Sequence, residues 1–131
     1  MAWGDKATLT GLNVSLSEVT NVDANYTDAD HYTEWVTLNP GETADIQIEV
    51  LFGSTGNDII YRVIKTLDAA TENADTVVYT GGTVPFVASI TQRRPHAVSN
   101  CYKFRIELRK NGTTAGAYTP NVYIRKNGIS V

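Results

Sequence analysis

Residues 41–53 read GETADIQIEVLFG, and this stretch decides the fold. Apolar side chains occupy every second position, and polar side chains fall between them. Alternation with a period of two is the pattern of a β-strand that has one buried side and one solvent-facing side. The apolar set comprises Ala44, Ile46, Ile48, Val50 and Phe52. The stretch therefore predicts a strand of a layered β protein whose polar side faces outward.

Similar short apolar runs fill the rest of the chain, and no segment has the 3.6-residue period of a helix. Further strands are predicted over residues 7–20, 59–67 and 101–110 and around residues 121–126. Asn39-Pro40-Gly41 and Asn111-Gly112 are turn signals between strands. The pattern predicts an all-β protein, a single Ig-like antiparallel β-sandwich of about seven strands. This domain is predicted to span residues 1–131, with residues 1–6 as a candidate arm.

The region around Gly81-Gly82 is predicted to be a hairpin. Two β-rich segments, TVVYT (76–80) and TVPFVASIT (83–91), flank the two glycines, which favour a tight turn. The polar segment QRRPHAVSN (92–100) that follows is interpreted as a crossover between strands.

Composition and charge restrict the classes of partner. The chain has 131 residues and a formal net charge of −3, which argues against nucleic acid as the main partner, because such binding needs clustered cations. The single cysteine, Cys101, can form no internal disulfide. The N-terminus lacks the features of a signal peptide, and no run of about 18 apolar residues predicts a membrane span.

Residues suited to catalysis or metal binding are few and scattered. His31 and His96 lie in no triad or metal-pair spacing, and Cys101 opens a strand without a protease context. Asp23, Asp28 and the neighbouring Asp30 could offer oxygen ligands to calcium, but their spacing differs from that of an EF-hand loop. We therefore expect no enzyme activity, no cofactor and no metal, with calcium in the 23–31 loop as an open alternative.

Two family resemblances extend this interpretation. Residues 102–127, YKFRIELRKNGTTAGAYTPNVYIRKN, resemble the last two strands of fibronectin type III and related Ig-like modules. Tyr102 is similar to their tyrosine-corner residue, which implies an inward side chain bonded to upstream backbone. Leu51 and Phe52 stand where such modules carry a tryptophan. The front half of the chain has a strand near the N-terminus, an acidic loop and then VTLNPGETADIQIEV (36–50), and in this it looks like the small β-sandwich capsid decoration proteins of tailed bacteriophages.

The outward side chains predict two faces of opposite charge. In an Ig-like topology, Asp45, Gln47 and Glu49 decorate one outer face and the residues outward on 101–110 decorate the other. The predicted partner-binding residues are Lys103, Arg105, Arg109, Arg62 and Arg125 on a basic face, Asp45 and Glu49 on an acidic face, and Trp3 as an aromatic anchor. Trp35 is predicted to cover one end of the core. Opposite faces of this kind favour docking on charged protein surfaces.

The leading hypothesis is a non-enzymatic structural virion protein, a capsid decoration or cement protein that binds the lattice of the major capsid protein. It predicts other virion proteins as partners, a homo-oligomer in the assembly, no nucleic acid and no membrane, and synthesis in the host bacterial cytoplasm. Two alternatives remain, a module that binds carbohydrate or a cell surface, and a neck or tail component of the virion. Sandwich folds serve all these tasks.

Overall fold

The computed structural model describes residues 2–3, 7–8, 32–67, 77–112, 114 and 116–128, with the backbone alone at 2–3 and 77–80. All regular elements within these ranges are β-strands. They are β1 (Ala2–Trp3), β2 (Ala7–Thr8), β3 (Val36–Thr37), β4 (Thr43–Phe52), β5 (Ile59–Thr66), β6 (Val77–Val84), β7 (Thr91–Val98), β8 (Lys103–Lys110) and β9 (Tyr118–Gly128). The predicted strand at 7–20 beyond Thr8, and the acidic loop at 21–31, lie outside these residues.

The strands form two antiparallel sheets. Sheet A has the order β1-β9-β4-β7, and β2 also pairs with β9. Sheet B has the order β3-β8-β5-β6. The predicted all-β antiparallel sandwich is confirmed. Within the predicted arm, Ala2 and Trp3 pair with Gly128 and Asn127 of β9.

The connections between the sheets are those of a jelly roll. In an immunoglobulin domain the last strand pairs with the strand before it. Here β9 lies in sheet A, between β1 and β4, and β8 lies in sheet B. The neighbouring pair implied by the resemblance of residues 102–127 is therefore not present. Taking β1 and β2 as one position, eight strand positions fill two four-stranded sheets, the arrangement of jelly-roll domains.

The core lies between the sheets and follows the period of two. Ala44, Ile46, Ile48, Val50 and Phe52 of β4 are all buried, as predicted. The same core contains side chains of sheet B, which face β4, and side chains of β9, which lies beside β4 in sheet A; they include Ile59, Val63, Phe104, Ile106, Leu108, Tyr118 and Val122. Burial of these side chains is the main favourable term for folding, because each removes apolar area from water.

Gly81 and Gly82 do not form the predicted turn, since both lie inside the continuous strand β6. Gly82 pairs with Tyr61 of β5. A Cβ atom at Gly82 would lie 2.6 Å from the hydroxyl oxygen of Tyr61, so the tyrosine side chain occupies the space above the glycine. A glycine in a strand often marks such a close approach rather than a turn.

We expect Gly82→Ala to lower the free energy of unfolding by about 1 to 2 kcal/mol, because the added methyl group forces the packed Tyr61 ring to move. Gly128→Ala is the matched control, since a Cβ there meets nothing within 4 Å. Urea denaturation of the two variants measures the difference. Equal stabilities would contradict the close approach of Tyr61.

The segment predicted as a polar crossover is the edge strand β7. Thr91–Val98 pairs along its length with β4. Its pattern escapes detection because polar residues point to both sides, with Arg93 outward and His96 inward by register. Pro95 lies in the middle of the strand and is tolerated there because an edge strand needs hydrogen-bond donors on one side only.

The predicted turn at Asn39-Pro40-Gly41 is confirmed. The amide of Glu42 donates to the carbonyl of Asn39 at 2.9 Å, and the amide of Asn39 donates to Oε1 of Glu42 at 3.0 Å. Gly41 has a φ of 80°, the left-handed conformation that this turn position requires. The turn brings the chain from β3 in sheet B to β4 in sheet A.

Candidate functional sites on the two outer faces

Four of the predicted cations lie together on the outer face of sheet B. Arg62 is on β5, and Lys103, Arg105 and Arg109 are on β8, the strand next to it. The outward side chains of β5 and β8 carry these four cations and one carboxylate, Glu107, so their formal net charge is +3 in a chain whose net charge is −3. We call this surface the basic face.

Glu107 organises the basic face. It lies on the outward side of β8, as the alternation predicts, but it is fully buried. Its Oε1 accepts from Nε of Arg62 at 2.7 Å and lies 2.6 Å from the terminal nitrogen of the same guanidinium. Its Oε2 accepts from Nε of Arg105 at 2.8 Å and lies 2.7 Å from a terminal nitrogen. Each oxygen thus holds one arginine through two nitrogens, an arrangement that fixes both guanidinium groups.

Aromatic side chains contact two cations of the basic face, Arg105 and Lys103. The guanidinium carbon of Arg105 lies 4.1 Å from the ring centroid of Tyr32 and 4.9 Å from that of Trp35. Nζ of Lys103 lies 4.8 Å from the Trp35 ring. These are cation–π distances. Trp35 is therefore part of the basic face and does not cover the end of the core as predicted.

Tyr102 does not adopt the tyrosine-corner role. Its side chain is 41% exposed, although the alternation and the resemblance both predicted an inward orientation. Its backbone forms the structural contacts instead: its amide donates to the carbonyl of Thr66, and its carbonyl accepts from the amide of Leu38. The alternation begins at Phe104, the first buried residue of β8.

The outer face of sheet A is charge-balanced rather than acidic. Arg125 was expected on the basic face, but β9 pairs with β4, which places its guanidinium 3.7 Å from the Asp45 carboxylate. Glu49 forms an ion pair with Arg93 of β7 at 3.0 Å. The outward side chains of β4, β7 and β9 thus carry two carboxylates and two guanidinium groups. We call this surface the neutral face.

A groove of about 280 Å³ lies on the neutral face. Gln47 pairs with Pro95 on one side and with Tyr123 on the other, so the three residues form one row across β7, β4 and β9. Asp45 and Arg125 form the next row. The lining residues are Asp45, Ile46, Gln47, Pro95, Tyr123 and Arg125. Sequence reasoning missed this groove because it depends on β9 lying beside β4.

Three titratable groups away from the two faces have shifted pKa values. Burial, followed by the positive charge of Lys65, lowers the pKa of His96. Burial raises the pKa of the Cys101 thiol, against a smaller opposing effect of Lys65, so the reactive thiolate is disfavoured. Lys110 is 1% exposed, its Nζ has no hydrogen-bond partner among the residues that the structure describes, and burial lowers its pKa.

Within the described ranges, no group of three or more His, Cys, Asp and Glu side chains is placed to hold a metal ion. The candidate calcium residues Asp23, Asp28 and Asp30, and also His31, lie outside those ranges. Trp3 is placed on β1, but its side chain is not among those described. No helix in the described part of the chain has the length and apolar character needed to cross a membrane.

No known protein family and no curated protein matches the chain. Several solved structures are similar to it. A carbohydrate-binding module, CBM4, is 15% identical over 71% of this chain and 56% of that one, with a TM-score of 0.43. The CBM22-1 and GH10 modules of xylanase 10B from Clostridium thermocellum, complexed with xylohexaose, are 13% identical over 98% of this chain and 27% of that one, with a TM-score of 0.45.

The VP2 subviral particle of infectious bursal disease virus is 10% identical over 97% of this chain and 35% of that one, with a TM-score of 0.38. The chain spans 56% of the first of these proteins and 27% of the second. Likenesses at this level assign no activity or partner to the chain.

Proposed function

We propose that this chain is a non-enzymatic structural protein of a tailed-phage virion, a decoration or cement protein that binds the lattice of major capsid protein subunits. The kind of partner comes from the resemblance of the front half of the chain to capsid decoration proteins. The mode of binding comes from the basic face, which fits an acidic patch on the assembled shell. The protein is made in the host bacterial cytoplasm and is then incorporated into the virion.

The observation that carries this proposal is the fixed arrangement of cations on the basic face. Arg62 and Arg105 are each held through two nitrogens by the buried carboxylate of Glu107. Side chains held in place lose less conformational entropy on binding than free ones, so a preorganised face gains affinity. Complementary charge also speeds encounter and orients the docked protein.

Stabilisation of the shell follows from mass action. A protein that binds the assembled lattice but not free subunits stabilises the lattice by its own binding free energy. Repeated copies on a symmetric shell then form symmetric clusters, which is how the predicted homo-oligomer would arise. No chemical step is required of the protein.

The test is cosedimentation of the purified protein with empty capsids and with isolated tails, at low and high salt. We expect saturable binding to capsids at a fixed ratio to lattice sites, weakened by salt because exposed charges are screened. Binding to tails alone would move the proposal to the tail or neck alternative. Binding to neither particle would overturn the virion proposal.

Charge reversal identifies the face that docks. We expect the double variant Lys103→Glu and Arg109→Glu to weaken capsid binding by roughly tenfold or more, because it turns attraction into repulsion. Arg62 and Arg105 are unsuitable positions, since they hold Glu107 and reversal would disturb the fold. The matched control is Arg93→Glu with Arg125→Glu, which makes the same charge change on the neutral face. Equal loss in both double variants would contradict docking through the basic face.

A further inference from the structure

The proposed capsid docking does not use the groove on the neutral face, because the groove lies on sheet A and the basic face lies on sheet B. Its centre is the row Pro95, Gln47 and Tyr123. Neighbouring strands in a sheet are about 4.8 Å apart, so the Pro95 and Tyr123 positions, two strands apart, are separated by roughly 10 Å. The groove therefore has an amide at its floor and a ring-bearing side chain on each side.

Polar groups lie in the next row, on one side of this row. Asp45 accepts a hydrogen bond from Nδ2 of Asn127 at 2.8 Å and lies near the Arg125 guanidinium, and both Asp45 and Arg125 are exposed to solvent at the surface. On the opposite side of the row, the Tyr123 hydroxyl lies 3.5 Å from Oε1 of Glu49. The groove thus offers donors and acceptors close together, which suits a ligand that carries many hydroxyl groups.

The charge and the volume of the groove restrict the ligand further. Its lining has one carboxylate and one guanidinium, which cancel, so neither an anion nor a cation is selected. Its volume of about 280 Å³ is near the lower end of the range of ligand clefts, about 300 to 1,000 Å³, and suits a ligand of one or two rings. An aromatic side chain gives the apolar face of such a ring a flat surface for contact.

We propose that this groove binds a neutral sugar ring of a glycan, with Tyr123 as the stacking residue and Gln47, Asp45 and Arg125 as hydroxyl-binding residues. The site goes beyond capsid docking and does not depend on it. A decorated particle would then present this face outward and could attach to neutral glycans of a cell surface.

The test is isothermal titration calorimetry of the full chain with cellohexaose, maltohexaose, xylohexaose and chitohexaose, and with hexagalacturonic acid as the charged comparison. We expect saturable binding of at least one neutral oligosaccharide and a loss of roughly tenfold or more in Tyr123→Ala, which removes a central contact. Gln47→Ala should weaken binding as well. Tyr102→Ala is the matched control, because it removes an exposed tyrosine outside the groove.

Three results would overturn the assignment. The first is no binding of any neutral oligosaccharide, and the second is binding of the acidic one alone. The third is self-association of the unliganded protein that Tyr123→Ala abolishes in sedimentation equilibrium, because a second copy of the chain would then occupy the groove. The capsid experiment uses Lys103 and Arg109 on the opposite sheet, so failure of either proposal is recognised separately.

Discussion

Replacing Glu107 by alanine is expected to lower the free energy of unfolding by about 3 to 5 kcal/mol, the range for breaking a buried ion pair. The loss has a definite cause. Arg105 is 11% exposed and Arg62 is 26% exposed at the side chain, so the variant leaves two desolvated cations side by side without their shared carboxylate. Urea denaturation monitored by circular dichroism measures the change.

Glu49→Ala is the control for this variant. Glu49 also pairs with an arginine, but the side chain of Arg93 is 56% exposed, and an exposed pair contributes about 1 kcal/mol or less. Glu107→Gln keeps the size of the side chain and should fall between the two. A loss for Glu107→Ala no larger than that for Glu49→Ala would show that Glu107 does not organise the basic face.

Replacing Lys110 by methionine is expected to raise the free energy of unfolding at pH 7 by about 2 to 3 kcal/mol, because it removes a buried amine that has no hydrogen-bond partner in the described part of the chain. Methionine has a similar length and no polar hydrogen, so it fills the same space. Replacing a charged side chain with an apolar one of similar length is thus expected to stabilise the protein.

The pH dependence of the same variant provides a second measurement. Burial lowers the pKa of Lys110 in the folded state from its ordinary value of 10.5. Between the lowered pKa and 10.5 the unfolded chain binds the proton more strongly, so the stability of the natural protein rises with pH in that window. The advantage of the methionine variant over the natural protein should therefore shrink as the pH approaches 10.5.

Lys65→Met is the comparison for Lys110→Met. Lys65 also faces the interior by register, but its Nζ donates to the carbonyl of Ser99 at 3.2 Å. Removing this amine takes away a hydrogen bond, so no gain in stability at pH 7 is expected from it. A loss of stability in Lys110→Met would mean that the Lys110 amine has a partner in solution.

Strands with a clean period of two could be predicted from the sequence. The alternation in β4 correctly gave its buried residues, because one side of the strand meets a core and the other meets solvent. β8 followed the same rule except at Glu107, whose burial depends on Arg62 of a neighbouring strand. An ion pair across strands has no local signal in the sequence.

β6 and β7 were mispredicted because glycine and proline occur in β proteins both in turns and within strands. Gly81-Gly82 has the local chemistry of a turn, but the two residues lie beside Tyr61, which is packed against them from β5. Pro95 normally argues against a strand, but an edge strand tolerates it. In both cases tertiary contacts determine that these residues lie in a strand and not in a turn.

The candidate sites also contain some features that the sequence could predict and others that depend on the strand order. Lys103, Arg105 and Arg109 share a face because they alternate along one strand, and this could be predicted from spacing alone. Arg125 was assigned to the wrong face because the sheet that receives the last strand is a matter of topology. The groove between Pro95 and Tyr123 depends on the same strand order, so no local pattern could have predicted it.

The proline in β7 has a consequence when many copies of the protein lie close together. When copies of a β-sandwich are crowded together, their edge strands can meet. An exposed edge strand can then form backbone hydrogen bonds with a neighbour's strand and start a fibre. Pro95 has no amide hydrogen to give to such a neighbour, and Arg93 and Arg94, which directly precede it, add positive charge that repels an identical edge. These features of β7 disfavour edge-to-edge pairing between copies of the protein.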